Sequence, residues 1–212
     1  MKRETEIKEL LINNAIRLIA EGGFEKATTK ELAFSGGSLD GFKMNEVYIY
    51  RLFGSKEVLY AAAFSALDRE LYDAFYKGIE IVGDFGQDIK EKMYKFFLMA
   101  WDFILGNENR CRCYVRYYYS VYFTGNSAIA HKRLFEGMVA AMAPIFKEEA
   151  DVSAIIHSVF TTLFDFAIRV YNGDLENSEE NVPHVFNVLY CMMATYFKDG
   201  LGESNRVAPA FV

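Results

Sequence analysis

Residues able to do covalent chemistry are few in this chain and badly spaced for it. Cys111 and Cys113 stand two apart with Arg112 between them. Helical positions two apart point in different directions, so the pair does not chelate a metal. His131, His157 and His184 are scattered, and no nucleophile elbow, phosphate-cradling glycine loop or HExxH pair accompanies them. The sequence therefore predicts no enzyme, no metal and no cofactor. A different chemistry is concentrated between positions 28 and 56, in Thr28, Lys43, Asn45, Glu46, Tyr48, Tyr50 and Lys56. Side chains of these types meet phosphate oxygens and base edges, an asparagine pairing with adenine and a tyrosine ring edge with a thymine methyl. Glu46 is the exception, since a carboxylate repels phosphate unless it accepts from cytosine. Lys56 stands at a helix start, whose free N–H groups also attract anions.

The elements that must position these residues are short and sharply punctuated. A first helix is expected over residues 5–21, with Ile7, Leu10, Leu11, Ala15, Leu18 and Ile19 on one face and Gly22-Gly23 at its end. Thr28 and Glu31 form a capping box ahead of Leu32 and Ala33. Gly36 and Gly37 break that second helix, and Asn45 caps a third carrying Val47, Tyr48, Ile49, Tyr50 and Phe53. Gly54 closes it and Ser55 caps the next. With Ile49 and Phe53 turned to a small core shared with the first helix, Asn45, Glu46, Tyr48 and Tyr50 are expected to face outward. An ordinary surface helix would read the same way; helix, turn, helix and a long apolar chain together make the plan of a DNA-reading head on an α-helical body.

These residues resemble the TetR-type transcriptional regulators. The resemblance lies in Glu21-Gly22-Gly23-Phe24, in Ala27-Thr28-Thr29-Lys30-Glu31-Leu32-Ala33 and in Tyr50-Arg51-Leu52-Phe53-Gly54-Ser55-Lys56-Glu57, matched in that order over the first quarter of the chain. The segment between Ala33 and Asn45 is longer than the family pattern, and Val47-Tyr48 stand where a small residue and a threonine are common. The long turn over residues 35–43 either adds DNA contacts as a wing or lets the two helices drift from groove-compatible geometry. The resemblance implies a homodimer, an effector pocket in the body and repression as the default.

Composition fits an all-α chain: 212 residues, 52% hydrophobic, only three prolines. No run approaches the roughly 18 uncharged apolar residues that span a bilayer, and the charged start MKRETEIKE has no signal-peptide core. Three cysteines, an odd number, fit a reducing compartment. A cytoplasmic chain with no membrane partner is expected. The net charge of −6 argues against a nucleic-acid partner until its distribution is read: residues 1–56 carry nine Lys and Arg against eight Asp and Glu, the rest 14 against 21. The acidity belongs to the body, and phosphate attraction must come from local placement of Lys2, Arg3, Lys30, Lys43, Arg51 and Lys56.

Body helices are expected over residues 56–77, from an Asp84–Gln87 capping pattern to Gly106, over 108–124, over 127–149 with a kink at Pro144, over 151–171 and over 178–198. Met93, Phe97, Trp101, Tyr117, Tyr118 and Phe164 are candidates to line a cavity for a small apolar or aromatic effector, with plain core as the competing reading. The last two helices are apolar nearly all round and need cover, which a second copy supplies as a four-helix seam. Ile155, Val159, Leu163, Phe186, Leu189 and Met193 are its candidate contacts. His157, Thr161, Asp165 and Arg169 fall four apart in a polar line that faces ligand, seam or solvent, or closes on itself through an Asp165–Arg169 pair. The fold expected is all-α: a helix-turn-helix head over residues 1–56 and a helical effector-binding and dimerisation body over 57–212. The function expected is a ligand-responsive DNA-binding transcriptional regulator, its partners a duplex DNA operator, an effector and a second copy. The alternative keeps the fold as a ligand-binding or protein-interaction module without specific DNA binding.

Overall fold

The structure, a computed structural model, describes residues 2–34, 44–82 and 88–201. Among them are nine α-helices: α1 (Lys2–Lys26), α2 (Thr29–Phe34), α3 (Val47–Phe53), α4 (Lys56–Val82), α5 (Ile89–Leu105), α6 (Glu108–Tyr118), α7 (Asn126–Met142), α8 (Val152–Tyr171) and α9 (Asn181–Ala194). The all-α expectation holds. The Asp84–Gln87 capping pattern, the long turn over residues 35–43 and the tail from 202 lie outside the described residues.

The helices pack as two compact units, Met1–Leu71 with Asn107–Leu134, and Tyr72–Gly106 with Phe135–Val212. α4 and α7 each contribute their first part to one unit and their second part to the other. In the first unit α1 packs on α2 and α6 around Leu11, Leu18, Ile19, Leu32, Ile49 and Leu59, all essentially without exposure. Phe64 stacks on Tyr114 and Tyr117 with ring centres 5.2 and 4.6 Å apart. In the second unit α8 packs on α9 and both meet α5. There Phe75 stacks on Phe160 at 4.9 Å, and the Tyr171 hydroxyl donates to the Ile104 carbonyl (2.6 Å).

Helices begin at or near the expected capping residues, and four ends depart from the sequence pattern, the first being α4, which runs past 77 to Val82. The helix expected over 108–124 stops at Tyr118. There the Ser120 hydroxyl donates to the Tyr117 carbonyl (2.7 Å) and accepts from the Tyr122 N–H (3.1 Å), offering the backbone an alternative to the helical ladder. The helix expected over 127–149 is not kinked at Pro144; it ends at Met142, and Pro144 sits in the 3₁₀ turn Ala143–Ile145. Proline lacks the N–H that an α-helix needs and disfavours helical geometry in the residue before it. The following Phe146 is extended and pairs with Phe197 in an isolated antiparallel bridge, which also ends the last helix short of 198. The Lys147 N–H donates to the Tyr196 carbonyl (2.8 Å) and the Lys198 N–H to the Ile145 carbonyl (3.0 Å).

α8 holds no run of 18 uncharged residues, as expected, yet it comes near a membrane span on average. By length and composition its 20 residues are apolar enough to cross one, with a window mean hydropathy of 1.3, because averaging tolerates the two charges Asp165 and Arg169. Only 28% of that window is buried within the chain. The residues of α8 left exposed are Ser153, Ala154, His157, Ser158, Thr161, Asp165 and Arg169, and none of its large apolar side chains is among them.

Candidate nucleic-acid interface

α2 and α3 are fixed by hydrogen bonds that the local sequence supplies. The Thr28 hydroxyl accepts from the Glu31 N–H (3.2 Å), one arm of the capping box, and opens α2. The buried Asn14 amide of α1 donates to the Leu32 carbonyl (2.9 Å) and holds the other end. Asn45 accepts from the Val47 N–H through its side-chain oxygen (3.1 Å) and starts α3. Gly54, at φ 81°, turns the chain out of α3 while its N–H donates to the Tyr50 carbonyl. The Ser55 hydroxyl accepts from the Val58 N–H (3.3 Å) and opens α4. The two short helices are tied to each other by the Thr29 hydroxyl, which donates to Glu46 Oε2 at 2.8 Å.

Ile49 has no exposed surface, so it fixes which side of α3 faces the core. Thr28, Asn45 and Tyr50 are exposed, Tyr50 by 54%, whereas Glu46, Tyr48 and Lys56 are half-buried. Lys43 lies outside the described residues. Two further residues of α3 face outward: Val47, 65% exposed and not named for DNA contact, and Arg51, named only for phosphate attraction, whose guanidinium carbon lies 4.5 Å above the centre of the Tyr48 ring. Helical periodicity could have found them. Residues two before and two after a buried position lie nearly opposite it on a helix, while its immediate neighbours lie to the side.

The same unit holds a buried polar cluster. Asp68, 3% exposed, meets Nδ1 of His131 at 2.8 Å and accepts from the Tyr114 hydroxyl at 3.4 Å, joining α4, α7 and α6. Burial, and then the Asp68 charge, pushes the Tyr114 phenol well above its usual 10, so it serves as a hydrogen-bond donor. Burial likewise pushes the Cys113 thiol up to about 12, which removes the thiolate that metal binding or nucleophilic attack requires. Among the described residues no group of three His, Cys, Asp or Glu side chains converges as a metal site.

The second unit encloses a cavity of about 50 Å³ between α5, the end of α7, α8 and α9. Every lining side chain is apolar. Met93 and Phe97, expected around an effector, line it. Trp101 and Phe164 are buried but do not, the Trp101 indole donating to the Asn177 side-chain oxygen (3.0 Å). Tyr117 and Tyr118 belong to the first unit. The residues expected at a seam between copies are turned inward: Val159, Leu163, Phe186, Leu189 and Met193 line the cavity, and Ile155 is 9% exposed. The outward side of α8 carries the polar line His157, Thr161, Asp165 and Arg169, all exposed. Asp165 and Arg169 form no ion pair; the Arg169 guanidinium instead lies 5.7 Å from the Phe166 ring centre.

Neither a protein-family model nor a curated protein sequence matches the chain. Solved structures do. A TetR family transcription regulator from Marinobacter aquaeolei VT8 shares 16% of its residues over 91% of this chain and 98% of its own, with a TM-score of 0.73. The fatty acid degradation regulator FadR from Bacillus halodurans is 17% identical over 86% and 93%, with a TM-score of 0.60. FadR from Bacillus subtilis, solved in complex with stearoyl-CoA, is 16% identical over 85% and 96%, with a TM-score of 0.57. At such identities the likeness speaks for backbone architecture, and by that measure the chain has the fold of the TetR-family transcription regulators.

Proposed function

We propose that the chain is a ligand-responsive DNA-binding transcription regulator that works as a homodimer, with repression as its mode. The observation that carries this reading is the α2–α3 pair: two short helices locked together by Thr29 and Glu46, with Ile49 inward and a face of Val47, Tyr48, Tyr50 and Arg51 outward. Residues 1–56 act as the reading head, residues 57–212 as the effector and pairing body. Thr28, Lys43, Tyr50 and Lys56 anchor phosphates, and Asn45 adjoins the bases. No catalytic step belongs to this reading.

The effector is an apolar molecule. Supporting this are a cavity lined only by apolar side chains and the stearoyl-CoA carried by the Bacillus subtilis FadR. The cavity of about 50 Å³ is small beside the roughly 300–1,000 Å³ of pockets that hold drug-sized ligands. An acyl chain must therefore displace side chains, and the flexible Met93, Met142 and Met193 are suited to give way. α4 and α7 each run from one packing unit into the other, so a displacement at one end of either helix has a stiff rod to travel along.

Selection of the full-length protein on a random duplex pool tests the reading. A defined sequence should emerge whose affinity falls roughly a thousandfold between 50 and 200 mM salt if about six phosphates are contacted. Adding a long-chain acyl-CoA should release it. Weak binding to all duplexes alike, at low salt only, would favour a ligand-binding or interaction module instead. The near-balance of nine cations against eight anions in residues 1–56 is what speaks for that second reading.

A further inference from the structure

We propose that Arg51 is the base-reading residue of α3 and takes a guanine in the major groove, with Tyr48 as the platform that positions its guanidinium. The assignment rests on the DNA-binding reading above. It starts from direction. With Ile49 fully buried and Phe53 half-buried one turn later, Val47 and Arg51 fall on the opposite side of the helix, four residues apart and one above the other. Arg51 stands near the middle of that side, and Tyr48 and Tyr50 flank it. A residue at the middle of a helix face laid in a groove meets the groove floor, where base edges are displayed. Residues at the flanks meet the phosphate walls.

The side chain is also prepared for the task. A free arginine must give up rotamer freedom on binding, and stacking on an aromatic ring removes part of that freedom beforehand. The guanidinium lies 4.5 Å above the Tyr48 ring centre, within the range of a cation–π contact. Its charge is not neutralised, because Arg51 forms no ion pair with a carboxylate among the described residues. The acid nearest in the sequence, Glu46, holds the Thr29 hydroxyl instead. The planar fork of donors matches the O6 and N7 acceptors that guanine alone presents together in the major groove. Tyr48, its ring face covered by the guanidinium, acts through Arg51 and is a positioning residue.

The test uses the full-length protein and the sequence it selects from a random duplex pool. A guanine should occupy one fixed place in each half-site. Replacing it by 7-deazaguanine, which lacks only the N7 acceptor, should lower wild-type affinity roughly tenfold. Arg51→Ala should lose the guanine preference and show no further loss on the 7-deaza duplex, while Arg51→Lys, whose ammonium can still donate to O6 or N7, should keep a weaker preference and most of its affinity for random DNA. Tyr48→Phe should select the wild-type sequence, and Tyr48→Leu should relax the preference at that one position. Wild-type indifference to 7-deazaguanine, with Arg51→Ala weakening every duplex by one factor, overturns the assignment in favour of a phosphate contact. Loss of the guanine preference in Tyr48→Phe overturns the platform role. Recovery of no sequence at all overturns both this assignment and the DNA-binding reading beneath it.

Discussion

A carboxylate at the start of a helix proposed to face phosphate needs a reason to be there, and Glu46 has one in the Thr29 hydroxyl 2.8 Å away. That bond joins α2 to the start of α3, so the residue's first duty is orientation of the face that Arg51 and Tyr50 present. Charge and hydrogen bonding can be separated by substitution. Glu46→Gln keeps an oxygen acceptor and removes the negative charge, so it should leave the urea midpoint nearly unchanged and raise affinity for all duplexes by a similar factor. Glu46→Ala removes the acceptor and should cost about 1 kcal/mol of stability, the usual worth of one hydrogen bond, read as a lower urea midpoint. A change of base preference in Glu46→Gln would instead identify the residue as a reader of cytosine. At this scale the sequence places α3 and an incomplete set of its outward residues. That set holds Asn45, Glu46, Tyr48 and Tyr50 and lacks Val47 and Arg51, which helical geometry places opposite Ile49.

Elements were legible where a residue type acts through its own backbone neighbourhood. Ser55, Asp151 and Ser178 each accept from the N–H three residues on, as capping requires. Gly54 and Gly23 have positive φ where the sequence placed helix ends. Helix ends decided by contacts other than a cap were not legible: α6 stops where Ser120 and Tyr117 capture the local backbone, and α9 stops where Phe197 pairs with the distant Phe146. The buried Asp68 was missed for the same reason, since its partners His131 and Tyr114 lie far along the chain. Gly23 permits a sharp test at this scale. Its φ of 74° and ψ of −169° form a region open almost only to glycine, and an added Cβ would lie 2.9 Å from Glu25 Oε2. Gly23→Ala should cost about 1–3 kcal/mol. Gly54→Ala, also at positive φ but with nothing within 4 Å, should cost less. Equal losses in the two variants would mean that the contact with Glu25 carries no weight.

For the whole molecule the telling quantity is that 28% of the apolar α8 window is buried by the chain itself. The side left open is less polar than its sequence suggests. Ser158, Thr161 and Thr162 each donate their hydroxyl to the carbonyl four residues back, at 2.8 to 2.9 Å. Their donors are thereby satisfied within the helix, and the threonines can present methyl groups outward. On α9 the neighbouring Val188 is 46% exposed. In the proposed homodimer a second copy covers Val188 and the threonine side of α8. Light scattering should therefore give twice the 24.3 kDa of one chain at micromolar concentration. Val188→Glu places a charge where the neighbouring core loses nothing, so it should halve that mass with unchanged helix content. Because two half-sites about 34 Å apart are engaged together only by a joined pair of heads, the single-chain form should lose on the order of a hundredfold or more in affinity for the full site while keeping its affinity for an isolated half-site. A wild-type chain found single at micromolar concentration, or a Val188→Glu variant that stays paired, would move the seam off α8 and α9.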